Sequence, residues 1–242
     1  MAFAYSPKIV TDGLVLYLDA ANPYSYVSGS TAWNDISRGG NNGTLVNGPT
    51  FSSANNGSIV FDGVDDYVDC GNNTPLQITN NLSVFGWVKG GSQDNKDIVT
   101  KYRTISDQRS WIFGTSLSSD GLGTNKLKVV LSSNGTFNSG FLKYYISDLV
   151  VFDNNWKYVG FVFQSNSLKL YVNGSEVSTT KIYDATVNTL YNSSASVWVG
   201  AMSNPANQYT GNVSTTQIYN RALSSDEVLQ NYNATKGRFG LT

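Results

Sequence analysis

The residue types that carry most enzymatic chemistry are scarce in this chain. Histidine is absent, which removes Ser-His-Asp and Cys-His nucleophile systems and histidine-based zinc sites at once. Cys70 is the single cysteine; at the end of an apolar run it reads as a small buried hydrophobe, not a nucleophile. Glutamate occurs only at Glu176 and Glu227. Paired carboxylates can serve glycoside hydrolysis, which needs two of them flanking the bond, about 5 Å apart for retention. Asp62, Asp65 and Asp66 form the densest acidic group. A metal loop is one reading of it. Turn chemistry is the better one, because Asp62-Gly63 suits a hairpin and adjacent Asp65 and Asp66 point to opposite faces of any strand. A saccharide would need exposed aromatic rings beside Asn or Asp, and Tyr24, Tyr26 and Tyr209 fall in loops with such neighbours, which makes them candidate glycan contacts.

The elements that must position these residues are strands. Apolar and β-branched runs of strand length recur between turn signals, at Leu14 to Leu18, Ser58 to Phe61, Tyr67 to Cys70, Leu82 to Val88, Ile98 to Tyr102, Ser110 to Gly114, Lys126 to Leu131, Trp156 to Gln164, Ser167 to Val172, Ala195 to Val199 and Gly211 to Tyr219. This spacing predicts a sandwich and not alternating βα units. Trp87, Trp111, Trp156 and Trp198 sit within these runs and are expected to be core. Asn173-Gly174, between alternating apolar residues, predicts a tight type I′ hairpin. One helix is predicted over residues 224–236: Ser224 and Glu227 form a capping box, Leu223 and Val228 a hydrophobic staple, and Gly237 a stop.

Charge excludes some partners. Sixteen basic residues nearly cancel 17 acidic ones, for a net charge of −1, so neither nucleic acid nor an anionic membrane is an expected partner. No stretch approaches the ~20 apolar residues that span a bilayer, and residues 1–10 lack the apolar run of a signal sequence. The expectation is one soluble domain over residues 1–242, with residues 1–10 as an N-terminal arm.

Several blocks, in order, resemble laminin G-like jelly rolls of the concanavalin A-like lectin/glucanase superfamily. They are Gly13 to Ala20, Trp33-Asn34-Asp35, Asn41 to Leu45, Ser58 to Val68, Leu82 to Val88, Trp156 to Val159, Leu168 to Gly174, and the ending Ile218 to Ser224 with Glu227-Val228. The resemblance implies an all-β, two-sheet antiparallel jelly-roll sandwich with one short C-terminal helix. Laminarinase-type glucanases of this fold carry Glu-x-Asp-x-x-Glu on one strand; neither Glu176 nor Glu227 begins that motif, so no enzyme is expected. Pentraxin-like relatives bind calcium at the sandwich rim. Laid on that pattern, Asp107 and Gln108 fall where an acid and an amide ligand sit, and Asn204 stands where a second acidic cluster should be. These three are the candidate calcium ligands, and calcium is the only cofactor the resemblance suggests.

The opening block, combined with Gln230 to Lys236 and Arg238-Phe239-Gly240, is similar to versions in tailed-phage structural proteins. That implies a non-enzymatic virion protein, made in the host cytoplasm and docked on other capsid or tail proteins as a decoration or tail-associated component. The alternative is a lectin-like module that adheres to a glycan.

Overall fold

The computed structural model describes residues 8–203 and 207–242. Their strands form two sheets joined entirely by antiparallel ladders. The eight-stranded sheet runs Ser175–Val177, Ser167–Val172, Lys157–Gln164, Leu82–Lys89, Thr210–Tyr219, Ser58–Asp62, Thr50–Ser52. The long Thr210–Tyr219 strand pairs Ser58–Asp62 along its first half and Leu14–Asp19 along its second. The nine-stranded sheet runs Thr179–Asp184, Leu142–Val150, Lys126–Gly135, Gln108–Thr115, Asp97–Arg103, Val197–Val199, Tyr67–Asp69, Gly43–Val46, Ala32–Trp33. This is the expected jelly-roll sandwich.

Each central strand alternates between the space shared by the sheets and an outer face. Leu16, Trp33, Phe61, Val84, Trp111, Phe113, Phe161 and Phe163 meet between the sheets. The alternate set on the eight-stranded sheet, including Phe85, Trp87, Tyr158 and Tyr219, is covered by the C-terminal segment through Leu223, Val228 and Phe239. The alternate set on the nine-stranded sheet, Ile112, Val130, Leu142, Tyr144 and Ile146, lies under loops instead. Trp87, Trp111 and Trp198 are buried as expected and Trp33 is buried with them, whereas Trp156, just before the Lys157–Gln164 strand, is only partly buried.

All the runs picked out by turn signals are strands, with no end moved by more than four residues. Six further strands are present: Ala32–Trp33, Gly43–Val46, Thr50–Ser52, Leu142–Val150, Thr179–Asp184 and Ser175–Val177, the second arm of the Asn173-Gly174 hairpin. Leu142–Val150 escapes the alternation test because both its faces are covered: Tyr145 faces the core while Leu142, Tyr144 and Ile146 face the loops.

Asn173 and Gly174 have φ of 50° and 82°, as a type I′ turn demands. The turn is pressed against the helix, with a Cβ built on Gly174 lying 3.1 Å from the Leu229 and Tyr232 side chains.

The helix spans Ser225–Thr235 behind a complete capping box from Ser224 and Glu227. Gly237 is not its stop. The chain continues into a 3-10 turn over Lys236–Phe239, and Gly240 takes the left-handed conformation, φ 72°. The extension exists because Arg238 and Phe239 have partners on the sandwich: Arg238 contacts Asp19 at 2.7 Å, and Phe239 stacks on Trp87. The arm's described end joins the same assembly, with Val10 N–H donating to Asn231 Oδ1 at 2.7 Å.

Glu227 also accepts two hydrogen bonds from Arg221, at 2.6 and 2.8 Å. That guanidinium pulls its carboxyl from 4.5 to about 2. A depressed folded-state pKa stabilises above the unfolded value and is lost as pH falls toward the folded one. Glu227→Gln is therefore expected to cost about 1–2 kcal/mol at neutral pH, after allowing for partial exposure. Urea unfolding should show this difference shrinking between about pH 4.5 and about pH 2; a pH-independent difference would mean the charge contributes nothing.

Candidate functional site

The outer face of the nine-stranded sheet holds a groove of about 270 Å³. Its floor is Tyr102, Ile112, Val130 and Tyr144, one side chain from each of four adjacent strands; Ile182 and Tyr183 wall one side, and Asn95, Asp120, Phe137 and Asn207 come from loops. Phe137 is 51% exposed and meets Tyr183 edge-on, ring centroids 6.4 Å apart. Tyr183 in turn lies 6.2 Å from the Tyr144 ring.

One end of the groove is polar. Lys128 Nζ donates to Asn95 Oδ1 at 2.7 Å and lies 3.6 Å from Asp97 Oδ1. Asn207 Nδ2 contacts Asp97 Oδ2 at 3.3 Å, and Asn95 Nδ2 contacts Asn207 Oδ1 at 3.3 Å. Asp97 is wholly buried and Lys128 nearly so. Burial raises the Asp97 carboxyl above its ordinary range, opposed chiefly by Lys128. Room for the pair comes from Gly114, which lies opposite both residues in register. A Cβ there would sit 2.3 Å from the Lys96 carbonyl oxygen and 3.2 Å from Asp97 Oδ1. Tyr144 donates its hydroxyl to Asp120; burial, then that bond, pushes the phenol up. An apolar cleft with a few convergent polar groups is what a small-molecule site requires.

The candidate residues named from sequence lie elsewhere. Tyr26 and Tyr209 are corrected to packing residues. Tyr26 is buried against Phe51 and donates its hydroxyl to the Ser30 carbonyl at 3.0 Å. Tyr209 is wholly buried between the sheets, and its hydroxyl finds no hydrogen-bond partner among the described residues. Position in a loop did not make them exposed, because both loops fold back over the core. Tyr24 is 83% exposed but does not line the groove.

Of the calcium candidates, Asp107 is ion-paired with Arg109. Gln108 is occupied at both ends: Oε1 accepts from Ser194 N–H at 2.8 Å, and Nε2 contacts the Ser106 carbonyl at 3.0 Å. Asn204 lies outside the described residues.

The carboxylates of Asp62, Asp65 and Asp66 approach within 4.8 Å, yet they serve the turn. Asp62 Oδ1 accepts from Val64 N–H at 2.8 Å, Asp66 Oδ2 accepts from Asp62 N–H at 3.0 Å, and Gly63 has φ 80°. Cys70 is buried, and burial pushes its thiol far up, away from thiolate chemistry. Glu176 forms a surface pair with Lys169 at 2.8 Å, and Glu227 is committed to the helix cap.

Sequence reasoning missed every residue of the groove. The Lys126 to Leu131 run contains the signal, since Lys128 stands at an alternate position inside an apolar strand.

A family model described as the Concanavalin A-like lectin/glucanases superfamily matches residues 62–229. No curated protein matches by sequence. Among solved structures, the binding domain of Paraclostridial Mosquitocidal Protein 1 is similar at 15% identity and TM-score 0.67, over 92% of this chain and 52% of that one. Domain 4 of AbnA, an extracellular arabinanase from Geobacillus stearothermophilus, in complex with arabinotriose, is similar at 14% identity and TM-score 0.63, over 92% of this chain and 100% of that domain. Trypanosoma rangeli sialidase in complex with sialic acid is similar at 13% identity and TM-score 0.65, over 93% of this chain and 33% of that one. The chain thus spans about half the length of the first of these and all of the second. At these identities the likeness is one of fold.

Proposed function

This chain belongs to the concanavalin A-like lectin/glucanases superfamily, and we propose that it is a carbohydrate-binding module without catalytic activity, its ligand seated in the groove on the nine-stranded sheet. The carrying observation is the juxtaposition of the Phe137–Tyr183–Tyr144 rings with the Asn95, Asn207 and Asp120 side chains in one cleft. Saccharides present apolar ring faces and hydroxyls together, and this pairing suits both. The full coverage of an arabinanase domain solved with arabinotriose supports the reading.

The absence of catalysis is supported by where the acids are spent. A glycosidase acid has a raised pKa and access to the leaving group; Glu227 is held at about 2 by Arg221, and Asp97 is sealed behind Lys128 and Asn207. Calcium at Asp107 and Gln108 would have to displace Arg109 from its carboxylate, so the proposed binding does not depend on the metal.

A glycan array probed with the labelled protein tests all three statements. The expected result is retention of a limited set of oligosaccharides, unchanged by chelator and without release of reducing ends. Loss of all signal with chelator would restore the calcium site, and hydrolysis would end the non-catalytic reading.

A second proposal concerns where the module is carried, namely on a tailed-phage particle with other virion proteins as neighbours. The blocks that resemble tailed-phage structural proteins, Gly13 to Ala20 with Gln230 to Lys236 and Arg238-Phe239-Gly240, meet in the fold, where Asp19 pairs with Arg238. Co-sedimentation with intact particles at fixed copy number is the expected outcome; recovery only from the soluble fraction of a phage lysate would exclude it.

A further inference from the structure

We infer that the groove selects uncharged saccharides and disfavours those bearing carboxylate or sulfate groups. This rests on the carbohydrate-binding reading and adds the class of sugar to it.

Of the residues lining the groove, only Asp120 and Lys128 are charged. Lys128 looks like a ready anion site, but its charge is already used. Its side chain is 5% exposed and faces Asp97 Oδ1 at 3.6 Å, with Asn95 Oδ1 accepting from it at 2.7 Å. An acidic sugar that captured Lys128 would leave the Asp97 carboxylate buried without its counter-charge, which is among the costliest arrangements in a protein interior. Asp97 is also tied through its backbone to the groove loop, by N–H donation to the Asn207 carbonyl at 2.8 Å.

Asp120 has the opposite character. It accepts from the Tyr144 hydroxyl and forms no ion pair among the described residues, so its charge is presented to the groove. Asp94 stands on the same rim, accepting from Ser118 N–H and Oγ at 2.8 Å. Lys96 and Lys128 are the ammonium groups acting on Asp94 and Asp97. With Lys128 matched by Asp97, Asp120 leaves the groove one negative charge in excess. At the far end Arg109, over the Tyr102 ring, is held by Asp107.

The neutral groups are the ones positioned for a sugar. The amides of Asn95 and Asn207 supply both donors and acceptors without net charge, and Phe137 offers a half-exposed ring. About 270 Å³ is near the lower bound for ligand sites and fits a mono- or disaccharide unit, not a long buried chain.

The test is an array of matched glycans at low ionic strength and about pH 7.5, with lactose against 3′-sulfolactose and galactobiose against digalacturonic acid as the simplest pairs. Wherever a neutral member binds, its acidic partner is expected to bind roughly tenfold more weakly, the difference narrowing as salt screens it. Asp120→Asn keeps an oxygen for Tyr144 and is expected to narrow the neutral-to-acidic ratio by about threefold or more. Acidic members binding as well as or better than neutral ones would overturn the inference and leave the carbohydrate-binding reading standing, as would a ratio unmoved by Asp120→Asn. Failure of every neutral and acidic glycan to bind would overturn that reading, and the inference with it.

Discussion

Trp87→Ala is expected to lower the unfolding free energy by about 3–5 kcal/mol, the range for deleting a fully buried large aromatic side chain. Trp87 projects from a central strand onto the outer face of the eight-stranded sheet, where it is wholly buried. Its ring stacks on Phe239 at 4.1 Å and on Tyr232 at 5.8 Å, and its indole N–H donates to Thr235 Oγ1 at 2.7 Å. Truncation therefore opens a cavity and releases the C-terminal helix and the Lys236–Phe239 turn together. Trp156 is the comparison. It also contacts Phe239, at 4.8 Å, but is partly exposed and bonds to Asn55 on the surface, so Trp156→Ala should cost on the order of 1 kcal/mol. Urea denaturation followed by circular dichroism measures both. Equal costs for the two would mean that the C-terminal segment is not anchored through Trp87.

The second large effect is on binding. Tyr183→Ala should weaken whichever oligosaccharide the array identifies by on the order of 30-fold, the equivalent of about 2 kcal/mol for an aromatic anchor. Tyr183 is half-buried on the edge strand Thr179–Asp184 and organises the cleft by touching both Phe137 and Tyr144. Its position at a sheet edge means that the core does not rest on it, so folding should survive. Tyr24→Ala, at the exposed loop position picked out from sequence, should leave affinity within twofold. Calorimetric titration of the two variants decides between them: loss on Tyr24→Ala with retention on Tyr183→Ala would move the site to the loop near the C-terminal helix.

The contrast between those two tyrosines marks how far the sequence reaches. Tyr24, Tyr26 and Tyr209 stand in similar polar surroundings along the chain, and only the fold separates the exposed ring from the two packed ones. The groove is built across strands and loops distant in sequence: Lys128 meets Asn95 across 33 positions, and Asp97 meets Asn207 across 110. No local pattern joins them. A buried lysine on the outer face of an apolar strand is a signal that something covers it, but it does not say what.

Local chemistry was nonetheless enough for much of the architecture. Asn173-Gly174 fixes a hairpin register by requiring positive φ, Ser224 and Glu227 start the helix by satisfying its free N–H groups, and period-two alternation specifies a sandwich. The absence of histidine removes Ser-His-Asp and Cys-His nucleophile systems on sequence alone. What the tertiary structure decided is what covers each outer face. The C-terminal segment covers the eight-stranded sheet and ends at Gly240 because Trp87, Asp19 and the Gly57 carbonyl receive Phe239 and Arg238. Among the described residues, the face of the nine-stranded sheet receives loops and no α-helix. Alternation determines which residues share a face; what covers that face depends on contacts between segments far apart in the chain, and these arise only when the two sheets close on one another.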